Sequence, residues 1–531
     1  MRQEDVFPRS SATWLVNTPW VGFGGNQVMN ERCSIFALAA SLVVIVSCTP
    51  GPAPAESKPD QPTTASLTAS ITPRPTLAAS ATEAPLIPTA PLSSDGPWLL
   101  VLTQPSASQW SFWAMNADGS GLTQLVDHAL AIYGAELRTS VSPHSGLVTF
   151  VDETENNIPQ LRLISLRDHE VITLATLMPP DFDWALLDEQ HYQAAMQTYA
   201  AVTRSAGVWS KDGRSLAFVG AMDGPSSDIY LYSAATGEIT RLTDGPTEAV
   251  SPVWSPDERY VLHGSATDLN YGASGAGYAL TGVWAARPDG SGAHLAYPLD
   301  YRGFDRALGW ISESLALVDS WEAFLDFWDL RTVDIESGET ESVWAAGYTG
   351  RAFDPGTRTV LFYVPFPDGD IRCDVAGEPG VYLLGLGDGT PRRVAGLEPN
   401  CTHHGVTWSD EGELFFVETA AGVVPVTPEG ALVDIGLTLR FVPSISPTGG
   451  LWAMSGDGVW IGTPQDGFRR LSDWDADLLW RPDGEALYLK RRQSEPGTGF
   501  ELYLAQSPEF SPSLLPLDLG VEGWTAIWVQ P

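Results

Sequence analysis

VWSKDGRSLAFVGAMDGPSSDIYLYSAATGEITRLTDG, the stretch from Val208 to Gly245, decides the fold class. It contains a short segment ending at Trp209, a turn rich in Ser, Asp and Gly, an apolar run, and a second Gly-containing turn. Asp and Gly accept the backbone conformations that close hairpins, and short apolar runs between such turns are typical of buried strands. The stretch therefore predicts four short antiparallel strands in one sheet.

The same unit recurs along the chain from about residue 98, each time opening with an apolar or aromatic anchor residue before a turn. Most anchors lie roughly 35 to 56 residues apart, a spacing typical of four-stranded propeller blades. The anchors are Val141, Trp209, Trp254, Trp310, Phe353, Trp408, Ile445, Trp480 and Trp528. We therefore predict an all-β fold, a β-propeller of eight or nine four-stranded blades.

The two ends of the repeat region predict how the ring closes. The segment starting at Trp98 has the pattern of a second strand without a first, and residues 524–531 have the pattern of a first strand without successors. An open ring would leave unpaired strand edges. We expect the C-terminal strand to complete the N-terminal blade.

The openings VWSPDERYVLHGSA at Val253 and LWRPDGEALYLKR at Leu479, with hairpins such as Thr236-Gly237-Glu238, resemble the WD40-like propeller repeats of the TolB family. The resemblance covers roughly residues 98–531, and about four units keep its core pattern well. It implies a propeller fold and brings no catalytic residues with it.

The N-terminal region has the pattern of an export signal. An apolar run from Ile35 to Val46 is too short to span a bilayer and suits a secretory signal. Ile45-Val46-Ser47-Cys48 resembles a bacterial lipobox, which implies cleavage before Cys48 and lipidation of its thiol. We expect residues 1–28 to precede the true translation start and residues 29–47 to be the signal peptide. An ordinary signal peptide with an incidental Cys is the alternative.

Residues 48–97 are crowded with Pro, Ala, Thr and Ser. Such a segment cannot bury enough apolar surface to offset the entropy of ordering it. We predict a disordered tether that holds the folded body, residues 98–531, away from the outer side of the cell membrane. The lipid would then be the only link to the membrane.

The charge balance limits the partners. The chain has 29 Lys+Arg against 65 Asp+Glu, a formal net charge of -36. Nucleic-acid binding needs a basic surface that displaces counterions, so this class is excluded. The 20 Trp residues show that the acidity does not mean disorder.

Two cysteines of the body predict a disulfide. Cys373 and Cys401 belong to polar loops of one unit, and an exported protein lies in an oxidising space. Two free or buried thiols are the alternative. His403 and His404 follow Cys401, but the other histidines are scattered, so we expect no metal site and no cofactor.

Residues 178–207 depart from the repeat. They have the pattern of a helix with Asp183 at the N-cap position and Gly207 just past its end. Trp184, Tyr192 and Tyr199 belong to its apolar face and are our candidate partner-binding residues. A packing element that covers the core is the alternative interpretation of this helical insertion.

Two functional hypotheses of different classes follow. The leading one is a surface-tethered bacterial lipoprotein, a monomer, whose propeller binds an envelope or extracellular protein, a peptide or a glycan. The other is an exported carbohydrate-active hydrolase or lyase with a site at the mouth of the propeller channel. Because no catalytic pattern such as a Gly-x-Ser-x-Gly elbow occurs, we assign no catalytic residue and do not favour an enzyme.

Overall fold

The computed structural model describes residues 90–106, 109–130, 138–268, 279–298, 303–322, 327–346, 349–364, 380–387, 389–397, 405–492, 500–515 and 524–531. The predictions for Cys48, Cys373 and Cys401, the signal peptide and most of the tether lie outside these residues. No helix among the described residues is long and apolar enough to cross a membrane.

The described residues form nine antiparallel sheets in chain order, which we number as blades 1 to 9. Blades 1 to 3 contain β1 (Trp98–Ser106), β2 (Gln109–Asn116) and β3 (Thr123–Leu130); β4 (Leu147–Glu153), β5 (Pro159–Ser165) and β6 (Glu170–Thr176); and β7 (Val208–Trp209), β8 (Ser215–Gly220), β9 (Asp228–Ser233) and β10 (Ile239–Arg241).

Blades 4 to 6 each have four strands. They contain β11 (Glu248–Trp254), β12 (Val261–Asp268), β13 (Ala279–Ala286) and β14 (His294–Pro298); β15 (Gly303–Trp310), β16 (Leu315–Glu322), β17 (Phe327–Asp334) and β18 (Thr340–Ala346); and β19 (Thr349–Asp354), β20 (Thr359–Val364), β21 (Gly380–Gly385) and β22 (Arg392–Arg393).

Blades 7 to 9 and the last strand complete the ring. They contain β23 (Val406–Ser409), β24 (Leu414–Thr419) and β25 (Gly422–Val426); β26 (Ser444–Ile445), β27 (Trp452–Ser455), β28 (Val459–Thr463) and β29 (Gly467–Ser472); β30 (Asp477–Trp480), β31 (Ala486–Arg492), β32 (Phe500–Gln506) and β33 (Ser511–Leu515); and β34 (Trp524–Val529).

The last strand closes the ring as predicted. β34 pairs antiparallel with β1, from Trp98 opposite Val529 to Thr103 opposite Trp524. Val529 and Trp98 are both fully buried. The fold is therefore a nine-bladed β-propeller whose first blade contains both ends of the repeat region.

Two of the nine sheets have three regular strands, and isolated bridges extend them. In blade 2, Val141 bridges Val148 at the position of the missing first strand, as its anchor role predicts. In blade 7, Val426 bridges Leu432. In both blades an isolated bridge thus takes the place of the missing strand, so the four-stranded pattern of the repeat is kept.

Apolar layers between neighbouring blades hold the ring together. One layer joins Leu317 of blade 5 to Phe362 of blade 6, and another joins Ala453 of blade 8 to Leu487 of blade 9. Every residue of β20 is buried, because a blade contacts neighbours on both faces. This explains why β20 is almost entirely apolar rather than alternating.

The anchor tryptophans also join one blade to the next through hydrogen bonds. Trp209 Nε1 donates to the carbonyl oxygen of Ser140 at 3.0 Å, and Trp254 Nε1 donates to that of Val208 at 3.0 Å. Trp480 Nε1 donates to the carbonyl oxygen of Ser444 at 2.9 Å. Each acceptor immediately precedes the anchor of the preceding blade, so the indole connects successive first strands.

The blades give the ring two different ends. Hairpins that join first to second and third to fourth strands lie at one end, which we call the turn face. Links from second to third strands, and crossovers between blades, lie at the other end, the loop face, because antiparallel strands reverse direction. Turn-face hairpins are short, whereas described loop-face links vary from residues 420–421 to residues 177–207.

The helical insertion is the crossover from blade 2 to blade 3, and its helix is shorter than predicted. Asp183 caps a 3-10 helix, Trp184–Leu186, and Asp188 caps the α-helix α1, Glu189–Val202. The prediction of one helix starting at Asp183 was wrong in extent, because Asp188 accepts a hydrogen bond from His191 N and starts a second helix.

The predicted tether is also shorter at its C-terminal end. Leu92 is buried, and Trp98 Nε1 donates to the carbonyl oxygen of Ser93 at 2.6 Å. Ser93 N donates to Asn116 Oδ1 at 2.8 Å. The residues just before Trp98 therefore pack on blade 1 rather than belonging to a tether, because these groups find partners there.

Candidate functional site

The turn-face carboxylates are used by their own hairpins. Ser255 Oγ donates to Asp257 Oδ1 at 2.7 Å, and Tyr260 N donates to Ser255 Oγ at 3.0 Å. The equivalent Ser210 Oγ donates to Asp212 Oδ1 at 2.7 Å. These side chains hold the turn conformation, as expected for Ser and Asp at such positions.

The pKa values of these carboxyls reflect the same contacts. Burial opposes ionisation of Asp257, but hydrogen bonds from Ser255 and from the side chain and backbone of Arg259 outweigh it and lower its pKa. For Asp334, the backbone N–H of Ser337 is the main cause of a lowered pKa. These turn-face carboxyl groups are thus ionised and already hydrogen-bonded within their own hairpins, which does not favour a binding site there.

The loop face differs, and the insertion brings the three predicted aromatic residues together. The ring of Trp184 lies 5.7 Å from that of Tyr192 and 5.7 Å from that of Tyr199, each edge to face. Phe182 adds a further edge contact with Trp184 at 4.8 Å. Edge-to-face packing of this kind stabilises aromatic clusters. We call these four residues the aromatic cluster.

Hydrogen bonds fix the aromatic cluster to blade 2. Tyr199 Oη donates to Glu153 Oε1 at 2.5 Å. Trp184 Nε1 donates to the carbonyl oxygen of Asn157 at 3.1 Å. Both acceptors lie at the loop-face end of blade 2, so the insertion is held in one position on that side.

A second set of bonds fixes α1 to blades 3 and 4. Thr198 Oγ1 donates to Glu248 Oε1 at 2.8 Å, and Ser227 N donates to Glu248 Oε2 at 2.7 Å. Thr198 is buried, and Glu248 opens the first strand of blade 4. One carboxylate therefore joins the helix, blade 3 and blade 4.

Exposure changes along the insertion. Val202 at the end of α1 is fully buried, and Ala201 beside it packs in the same apolar core. Leu186 is 79% exposed and Tyr192 is 42% exposed. The insertion therefore packs on the core at one end and presents exposed apolar side chains at the other.

The charges of a polar network next to the insertion are paired with each other. Asp228 is buried, and its Oδ2 lies 2.5 Å from Arg241 Nη2 while its Oδ1 accepts from Thr243 Oγ1 at 2.9 Å. Burial disfavours the charge on Arg241, but Asp228 outweighs it and raises the pKa. Burial also raises the pKa of Tyr230 to about 12. Such pairing is what a buried charge needs, so this network supports structure.

His263 is the most strongly perturbed histidine of the described residues. It is 7% exposed on β12, and burial lowers its pKa to about 4. It is therefore neutral at neutral pH. The described residues contain no group of three or more His, Cys, Asp or Glu that could hold a metal ion.

Sequence reasoning missed a second loop-face feature, a cleft of about 420 Å³ where blades 8 and 9 meet. Its lining includes Arg470 of β29, Trp474 of the crossover to β30, and Tyr503 of β32. The rings of Trp474 and Tyr503 lie 4.7 Å apart. Two features of the sequence could have pointed to this cleft. They are Trp474, a tryptophan in the link between two repeat units, and the basic run Lys490–Arg492 in the second of those units.

Comparisons with known proteins define no family for this chain. No known family profile matches the chain. A segment of 54 residues is 43% identical to the uncharacterized peptidase YuxL of Bacillus subtilis (strain 168). The match spans 10% of this chain and only 8% of that protein.

Several solved structures are similar at low identity. A eukaryotic initiation factor is 11% identical with a TM-score of 0.49, covering 82% of this chain and 99% of its own. An oligogalacturonate lyase in complex with manganese is 13% identical with a TM-score of 0.34, covering 69% and 99%. A putative TolB from Agrobacterium tumefaciens is 19% identical with a TM-score of 0.27, covering 48% and 79%.

Proposed function

We propose that this protein is a lipid-anchored extracytoplasmic lipoprotein whose propeller is a binding module, with the loop face as its recognition surface. Its partner is an envelope or extracellular protein, peptide or glycan. Lipidation of Cys48 would link the body to the cell membrane, and the Pro-rich segment would give it reach. The hydrolase or lyase alternative stays a prediction, since no described constellation favours it.

The observation that supports binding is the exposed end of an otherwise fixed insertion. Exposed apolar side chains on rigid support are suited to recognition, because little conformational entropy is lost when a partner covers them. Leu186 and Tyr192 are exposed, while Thr198 and Tyr199 hold the same segment on three blades. Rigid scaffolds with variable loops commonly bind partners in this way.

The binding role is tested with envelope extracts. Wild-type protein captures a partner that the double variant Leu186→Asp, Tyr192→Ala loses, because both side chains lie at the exposed end of the insertion. The matched control is Ile172→Ala, which removes another exposed apolar side chain, on the outer strand of blade 2. Equal recovery with all three proteins would contradict the loop-face proposal.

Membrane anchoring is tested separately by the intact mass of detergent-extracted protein. We expect a mature N-terminus at Cys48 that carries lipid, and a Cys48→Ser variant that is released into the soluble fraction. A mature chain starting elsewhere would contradict the lipoprotein proposal and leave the binding proposal standing.

A further inference from the structure

We infer that the cleft between blades 8 and 9 is a subsite for an uncharged saccharide, with Trp474 and Tyr503 contacting the C–H face of a sugar ring. The inference deepens the proposed binding function and rests on it. The cleft has a volume of about 420 Å³ and is open to solvent, so it would hold part of an extended ligand rather than enclose one.

The aromatic pair is held in position by its neighbours. The guanidinium of Arg491 lies 5.1 Å from the centre of the Trp474 ring. Arg491 Nη1 lies 3.4 Å from Glu501 Oε2, and Tyr503 Oη donates to the same oxygen at 2.9 Å. Both rings are partly exposed, so the pair is a preorganised apolar surface that ligand binding need not order.

Polar groups of both signs surround this surface. Arg470 donates from Nε to the carbonyl oxygen of Ser472 at 3.0 Å and from Nη2 to that of Asp457 at 2.8 Å. These bonds fix the guanidinium at the cleft, where its remaining N–H groups can donate further. Asp473, also in the lining, supplies acceptor oxygens. Adjacent donors and acceptors match the hydroxyl groups of a sugar.

The charges of the cleft favour an uncharged ligand over an anion. Arg470 faces the cleft together with Asp473, and the charge of Arg491 is offset by Glu501. The formal charge of the whole chain, -36, opposes anions further. A cation would meet two guanidinium groups at the aromatic surface, so a neutral ligand that hydrogen-bonds fits best.

The outer edge of the cleft disfavours a peptide. Peptides often bind by adding a strand to an exposed sheet edge. The outer strand of blade 9, β33, contains Pro512 in the cleft lining. Proline has no N–H to donate to an added strand, which interrupts such pairing. A saccharide needs no strand pairing and is unaffected.

The test is calorimetric titration of the purified propeller with cellohexaose, xylohexaose, mannohexaose, chitohexaose and, as the charged probe, hexagalacturonate. We expect binding of at least one uncharged oligosaccharide. Trp474→Ala should weaken it by more than about tenfold, as for a central aromatic contact, and Arg470→Ala by a smaller factor. Trp474→Phe, which keeps an aromatic face, should restore part of the affinity.

Controls separate this inference from the proposed function. Phe441→Ala removes an exposed aromatic ring outside both the cleft and the insertion and should leave saccharide affinity unchanged. Thermal melting of each variant shows that it is folded. Loss of saccharide binding in Trp474→Ala with insertion-dependent capture intact supports two separate sites.

Three results would overturn the inference. They are binding of no uncharged oligosaccharide, equal binding by wild type and Trp474→Ala, and binding of hexagalacturonate alone. Retention of envelope peptides that depends on Trp474, with no saccharide binding, would assign the cleft to a peptide instead. In each of these cases the capture experiment on Leu186 and Tyr192 still decides the proposed function independently.

Discussion

The turn face and the loop face are made by the same strands, yet their residues have different tasks. On the turn face, Ser255 and Asp257 repeat the contacts of Ser210 and Asp212 one blade earlier. On the loop face, the described links differ from one blade to the next, from residues 420–421 to the insertion at residues 177–207. The contrast teaches that a repeat preserves residues needed for closing hairpins and leaves the opposite end free to diversify.

Deleting residues 524–531 should have the largest effect, because both faces depend on a closed ring. Removing β34 exposes the edge of β1 and the buried side chains of Trp98 and Leu100. We expect a loss of more than about 4 kcal/mol in the free energy of unfolding. Urea denaturation measures it, with removal of Pro531 alone as the control. An unchanged midpoint would contradict closure by this strand.

Comparing Trp254→Phe with Trp310→Phe measures how much the indole hydrogen bond adds to the contact between blades, because only one of the two tryptophans makes that bond. Trp254 Nε1 donates to Val208, whereas Trp310 Nε1 is buried with no hydrogen-bond partner among the described residues. We expect Trp254→Phe to cost about 1 kcal/mol more. Denaturation of both variants gives the difference. Equal losses would show that the rings act through packing alone.

Glu248→Gln tests how the loop face holds the insertion. The neutral amide keeps the shape but has one acceptor oxygen in place of two, so it cannot accept from both Ser227 N and Thr198 Oγ1 on separate oxygens. We expect a local cost of about 1 kcal/mol and faster hydrogen exchange within α1, with the global unfolding midpoint little changed. Glu189→Gln, an exposed change in the same helix, is the control. Unchanged exchange in α1 would remove Glu248 from this role.

Asp257→Asn should have the smallest effect and tests the turn face through pH. The pKa of Asp257 is lowered in the folded state from 3.8, so its ionisation contributes stability at neutral pH. That contribution is lost as the pH falls through the folded-state value. We expect wild type to exceed the variant by about 0.5 kcal/mol at pH 7 and by less near pH 2.5. A difference that grows on acidification would contradict this sign.

Much of the fold could be predicted from the sequence because its signals are local. The anchors Trp209, Trp254 and Trp480 stand beside Asp-containing turns, and hairpins are set by neighbouring residues. The closing strand was predictable because the N-terminal unit lacks a first strand and residues 524–531 have the pattern of a first strand. The extent of the insertion helix was not, since Asp183 and Asp188 both satisfy the N-cap pattern and tertiary contacts decide between them.

The candidate sites were less predictable, for a physical reason. Trp184, Tyr192 and Tyr199 share one short segment, which made their proximity predictable even though Trp184 lies in the separate 3-10 helix. Glu153 and Glu248 hold that segment in place, and Glu248 also accepts a hydrogen bond from Ser227. These three residues lie on blades 2, 4 and 3, and they come together only in the closed ring. The cleft at Trp474 likewise needs residues from two blades. No local pattern records such contacts.

The pairing of β1 with β34 has a consequence for synthesis. A ribosome makes Trp98 early and Val529 late, so the first blade waits for its first strand while the other eight assemble. A product cut short anywhere before β34 keeps an open sheet edge, which marks it for proteases and for aggregation. Because the pairing of β1 with β34 forms only in a chain that has been synthesised through β34, ring closure distinguishes full-length from truncated copies.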